Sequence, residues 1–130
     1  MILFKSDTEK AQFSDNRLDN RLRIILFALS GYVRFNFGKD IVITSIYREG
    51  DTGVHGYWRG IDIRTRHAGI DYFTDEEISK ITDYLKNFEY GDNIHNTSLY
   101  HDVGQGIHFH IQVSNNNYTK IIKYLHSKRI

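Results

Sequence analysis

Apolar residues recur at helical spacing through SDNRLDNRLRIILFALSGYVRFNFG (residues 14–38), where Leu18, Leu22, Ile25 and Leu29 form one stripe. Ser14 or Asp15 stands where an N-cap belongs and Gly38 where a helix stops, so the pattern predicts one long amphipathic helix. DIVITSIYR follows, short and rich in β-branched residues. It predicts a buried strand whose end delivers Arg48 into the loop EGDTGV. In GIDIRT the period becomes two: Ile61 and Ile63 share one face, while Gly60, Asp62 and Arg64 share the other. TDEEISKITDYLKNFEYG opens with Thr74 and has Glu77 three residues on, a capping box. Ile78, Ile81, Leu85 and Phe88 then make an apolar stripe that ends near Gly91. NTSLYHDV is compatible with a strand, and GIHFHIQV reads more firmly as one, with Ile107, Phe109 and Ile111 toward the core and His108, His110 and Gln112 on the opposite face. A turn at SNNN leads into YTKIIKYLHSK, a short final helix with Ile121, Ile122 and Leu125 apolar. There is no internal repeat, linker or shift of composition, so residues 1–130 predict a single α+β domain with a small antiparallel sheet flanked by helices.

Composition narrows the chemistry. A chain of 130 residues, 40% hydrophobic and 25% charged, is large enough to bury a core without cross-links. Its 17 Lys and Arg against 16 Asp and Glu leave a formal charge of +1, with no bulk attraction to nucleic acid or to an anionic membrane. The absence of cysteine excludes disulfides, thiolate metal sites and cysteine nucleophiles together. Any metal must therefore be held by His, Asp or Glu, and the seven histidines become the informative residues. MILFKSDTEK carries too short an apolar run, with the wrong flanks, for a secretory signal, and no segment approaches a membrane span. A chain made in the cytoplasm is the expectation.

Two stretches carry candidate chemistry. HGYWRGID sets His55 and Asp62 seven residues apart around Gly60, and IHFHIQV sets His108 and His110 on one face of a strand. A hydrolytic zinc site holds its ion with three protein ligands and leaves the fourth position to water, whose pKa falls toward ~7. His55, Asp62 and His110 supply such a set for one zinc ion. A glycine-bearing return lets the carboxylate come back to the same ion, and the late strand lies alongside to close the site. Taken singly, each residue is ordinary: most lone histidines are merely polar, and an Asp in an alternating strand usually faces water. A His-x-His pair on one strand face is harder to dismiss, because that position favours Thr, Val or Lys. His67, His95 and His126 are assigned to the surface.

Together, TSIYR, HGYWRGIDI and IHFHIQV resemble the D-alanyl-D-alanine peptidase group of zinc peptidases, which shares its fold with lysostaphin-type enzymes and the hedgehog signalling domain. The resemblance covers about residues 44–65 and 106–113. It implies that His55, Asp62 and His110 bind zinc, that Arg48 holds or polarises the substrate, and that His108 assists catalysis. It also implies cleavage of a peptide bond in peptidoglycan stem peptides, by carboxypeptidase or endopeptidase action, with Tyr47, Tyr57 and Trp58 available to wall the cleft. The chain departs from the group at two places. Gly53 and Trp58 stand where many members have Ser and Gly, and YHDVGQGIHFH lacks the Glu that many use as general base. His108 is the better replacement, with Asp102 and His101 as alternatives. Small size and the lack of a wall-binding module point to a monomeric phage lysis or virion enzyme, with neither nucleic acid nor membrane as partner.

Two other classes compete. HFHIQV also resembles the His-hydrophobic-His strand of rolling-circle replication nucleases, and YLHSK imitates their Tyr-x-x-x-Lys. However, Tyr124 lies only 14 residues after His110, a charge of +1 gives little phosphate affinity, and HGYWRGID is left unexplained. A metal-binding or wall-binding module without turnover is the third reading, which the missing Glu permits. An iron facial triad would place its carboxylate two residues after the first His, and here the interval is seven.

Overall fold

A computed structural model describes residues 1–88, 97–102 and 107–114. The helical stripe of residues 14–38 becomes helix only from Asn20. The α2 helix (Asn20–Phe37) starts behind Asp19, whose carboxylate accepts from the Arg21 N–H, and buries Leu22, Ile25, Leu26, Leu29 and Val33. Gly38 ends it as the pattern predicts, at a left-handed φ of 66°. The residues before it belong to a separate helix, α1 (Asp7–Phe13), capped by Ser6, so Ser14 closes one helix rather than opening the next. Asp15 accepts from both the backbone N–H and the guanidinium of Arg17. Such local bonds compete with a helical ladder, and the chain turns here although Leu18 keeps its place in the core.

The first residues add a strand that the apolar pattern alone did not reveal. The β1 strand (Ile2–Phe4) pairs in parallel with β2 (Ile41–Ser45). The sheet is therefore mixed, a correction to the antiparallel expectation. A parallel neighbour needs a long crossover, and α1 and α2 together supply it. The order is β1-β2-β3-β7-β6, where β3 is Gly60–Ile63, β6 Ser98–Asp102 and β7 Ile107–Gln112, and the last three pairings are antiparallel.

One continuous core joins Ile41, Ile43, Ile61, Ile63, Phe109 and Ile111 of the strands to the buried stripe of α2 and to Ile78, Ile81 and Leu85 of α3 (Asp75–Leu85). The capping box of α3 forms in both directions: Thr74 Oγ1 accepts from the Glu77 N–H, and Glu77 Oε1 accepts from the Thr74 N–H. The same carboxylate meets Lys39 Nζ at 2.6 Å, tying the start of α3 to the residues after α2. The helix ends at Lys86, and Phe88 is buried beyond it. A two-stranded hairpin, β4 (Arg66–His67) and β5 (Ile70–Asp71), turns through Ala68 and Gly69 at φ 52° and 79°. Gly91, His95, the final helix with Tyr124, and His126 lie outside the described residues. Among the described residues, three α-helices flank the sheet, and no helix is long and apolar enough to cross a membrane.

Candidate metal centre

Backbone register brings the two motifs together. In the antiparallel β3–β7 pair, Asp62 stands directly opposite His110. Their shared face is opposite to the one carrying Ile61, Ile63, Phe109 and Ile111, so the side chains meet without crossing the sheet. Between β2 and β3 the register slips: Ile43 pairs with Ile63, but Ser45 pairs with Asp62. An unbroken ladder would have put Ser45 opposite Ile61 on the core face. The extra residue turns Ser45 to the polar face instead, the re-aiming that a bulge performs beside functional sites.

His55 arrives from a short 3₁₀ turn, Val54–Tyr57, anchored by the Arg48 N–H donating to the His55 carbonyl at 3.2 Å. Two glycines make this packing possible. A Cβ on Gly56 would collide with the Asp51 carbonyl, and one on Gly60 would lie 2.5 Å from Val54 Cγ2 and 3.1 Å from His110 Cε1. Gly60 thus leaves room for the His110 ring itself.

The three side chains form a buried group able to hold a metal ion, with one ligand atom from each within 4.8 Å of the others. His55 Nε2 lies 3.2 Å from Asp62 Oδ1 and 3.2 Å from His110 Nδ1, and His110 Nδ1 lies 2.9 Å from Asp62 Oδ1. The outer ring atoms fix the tautomers. His55 Nδ1–H donates to the Ile46 carbonyl at 2.7 Å, and His110 Nε2–H donates to Gln112 Oε1 at 3.2 Å. With those protons placed outward, two neutral imidazoles and a carboxylate turn three lone-pair atoms on one another. In that protonation state the three buried acceptors repel one another, and a cation among them would relieve the repulsion. This donor set of two nitrogens and one oxygen, each histidine held by an outer hydrogen bond, fits a divalent metal ion.

Arg48 completes the group. Its Nη2 donates to Asp62 Oδ2 at 2.6 Å, its Nε donates to Ser45 Oγ at 3.0 Å, and Nη1 lies 3.5 Å from Asp51. Asp62 therefore offers Oδ1 to the centre while Oδ2 is engaged. Burial pushes the Asp62 carboxyl up, but hydrogen bonds and charge from His110 and His55, which act where a ring proton rather than a metal faces Oδ1, outweigh it and hold the group well below the usual carboxylate range. Arg48, Asp62, Ser45, Thr44 and Tyr47 line a cleft of about 520 Å³ that opens beside the centre.

Of the residues that the sequence singled out, His55, Asp62, His110 and Arg48 converge. His108 lies two residues from His110 on β7 and pairs with His101 of β6; Asp102 pairs with Ile107. The side chains of His101, Asp102 and His108 lie outside the described positions. Tyr47 lines the cleft; Trp58 is buried behind it, stacked on Tyr47 at 4.6 Å; Tyr57 is largely exposed. Sequence reasoning missed the Ile46 carbonyl and Ser45. The first is a main-chain group and the second depends on a register slip. Compared with protein-family models, curated proteins and solved structures, the chain matches none.

Proposed function

We propose that the protein is a zinc-dependent peptidoglycan peptidase of the D-alanyl-D-alanine peptidase and hedgehog fold group, acting as a phage lysis or virion enzyme on wall stem peptides. The observation that carries this reading is the buried convergence of His55, Asp62 and His110, with outward-fixed tautomers and Arg48 on the carboxylate. Zinc bound there would polarise a carbonyl and make water acidic enough to attack near neutral pH. The chain's own residues do the rest. His55 and His110 present lone pairs along directions set by Ile46 and Gln112. Asp62 supplies the charge that favours a dication, and Arg48 keeps that carboxylate in one orientation.

Arg48 also lines the cleft, where its guanidinium can steady an oxyanion or a substrate carboxylate. The base that takes a proton from water is assigned to His108, on the strand that carries a ligand, with Asp102 and His101 as alternatives. Metal analysis of purified protein, combined with mass spectrometry of digested peptidoglycan, tests the reading. About one zinc per chain together with new amine ends is the expected result. Zinc without new ends would leave a binding module, and nicked single-stranded DNA would favour the nuclease.

A further inference from the structure

The cleft beside the centre carries charge that the ligand set does not use. Lys5, Arg48, Arg64 and Arg66 line it, against the carboxylates of Glu9 and Asp62. Most of these groups are already partnered. Arg48 is held by Asp62 and Asp51, Arg66 by Asp71 at 3.1 Å and by the Gly69 carbonyl, and Glu9 accepts from Ser6 Oγ. Lys5 and Arg64 differ: among the described residues neither side chain makes an ion pair or hydrogen bond.

Strand geometry puts them there. The Lys5 N–H donates to Ile43 O, continuing β1 alongside β2, and the Arg64 N–H donates to Val42 O, two residues beyond Asp62. The backbone thus brings two cations that make no ion pair or hydrogen bond among the described residues to one concavity, from either side of β2. Two cations lining one concavity focus positive potential there, which favours an anion in that space. Ser45 adds a hydroxyl whose oxygen already accepts from Arg48, leaving its proton free to donate.

We infer that this cleft is an oxyanion subsite, in which Lys5 and Arg64 receive a carboxylate or phosphate carried by the substrate, so that the centre acts on acidic substrates. The inference rests on reading the centre as the place of reaction. Lys5 and Arg64 lie apart from the three ligands and contribute to specificity rather than to metal binding. Because both are solvent-accessible cations, the subsite weakens as salt rises.

Calorimetric titration of the full chain with glutarate, inorganic phosphate and the neutral isostere glutaramide, at fixed ionic strength, tests it. Glutarate or phosphate should bind and glutaramide should not. Preference for glutarate identifies a peptide carboxylate as the source, and preference for phosphate a phosphorylated group. The double variant Lys5→Met/Arg64→Met should weaken the preferred anion by about tenfold or more. Lys5→Arg, which keeps the charge, should retain binding and so guards against misfolding as the cause. Equal binding of glutaramide, or undiminished anion binding by a folded double variant, would overturn the subsite. Repeating the titration on His110→Ala separates the two readings. Anion binding that survives there, beside wild-type protein that cleaves no wall, keeps the subsite and removes the peptidase. Zinc and wall cleavage in a wild type that does not discriminate between probes remove the subsite alone.

Discussion

At Gly60 the fold has no room for a methyl group, because Val54 and the His110 ring occupy that space. Gly60→Ala is expected to lower both stability, by ~1–3 kcal/mol as for other overpacked sites, and metal occupancy, since the ring must move. Urea unfolding and metal analysis of the same preparation check this together; a variant that keeps full zinc would show that the ring position is not needed. His55→Ala, Asp62→Ala and His110→Ala should each lower zinc content strongly, and full occupancy in all three would dismiss the centre. The group able to hold a metal was legible in the sequence because a His and an Asp around a glycine, and a His-x-His strand, leave a pattern in residue types. The groups that set the tautomers were not. A main-chain carbonyl at Ile46 has no signature, and Gln112 showed only that it shares a face with His110.

Among elements, the capping box of α3 and the alternation of β3 and β7 were legible because each is encoded within a few residues. The break between α1 and α2 was not, since the apolar spacing runs on through Leu18 while Asp15 and Arg17 satisfy each other locally. The β1 strand is only three residues long and is defined by a parallel partner far along the chain, information that no local window contains. The β4–β5 hairpin shows a sequence that is not optimal for its turn. Ala68 adopts a left-handed φ of 52°, which costs an L-residue with a Cβ roughly 1–2 kcal/mol, and its neighbour Gly69 does not relieve it. Ala68→Gly is expected to raise stability by up to ~1 kcal/mol, the relief being partly offset by the added freedom of glycine when unfolded. A urea midpoint that falls instead would mean that the Ala68 methyl contributes more by packing than its backbone costs. Zinc content should not change, because the hairpin supplies no ligand.

At the scale of the whole molecule, any metal bound at the centre would be linked to folding through the same three groups. Asp62 has a folded pKa below its unfolded value, so its contribution to stability is fully present above ~4, the unfolded value, and is lost as pH falls through the depressed folded value. The centre exists only in the folded chain, where β3, β7 and the Val54–Tyr57 turn assemble it, so zinc should stabilise the native state by mass action. At a hundredfold excess over its dissociation constant the gain is about 2.7 kcal/mol, or on the order of ten degrees in melting temperature for a domain of this size. The expected record is a melting curve that moves up on addition of zinc to chelator-treated protein and moves back with chelator. The zinc-induced increment should shrink in acid, because metal binding requires deprotonated ligands. His110→Ala alters the stability of the metal-free protein as well, so the increment caused by zinc is the quantity to compare. It should vanish in that variant while persisting in Lys5→Met, which leaves all three ligands in place; an equal increment in wild type and His110→Ala would place the zinc elsewhere on the chain.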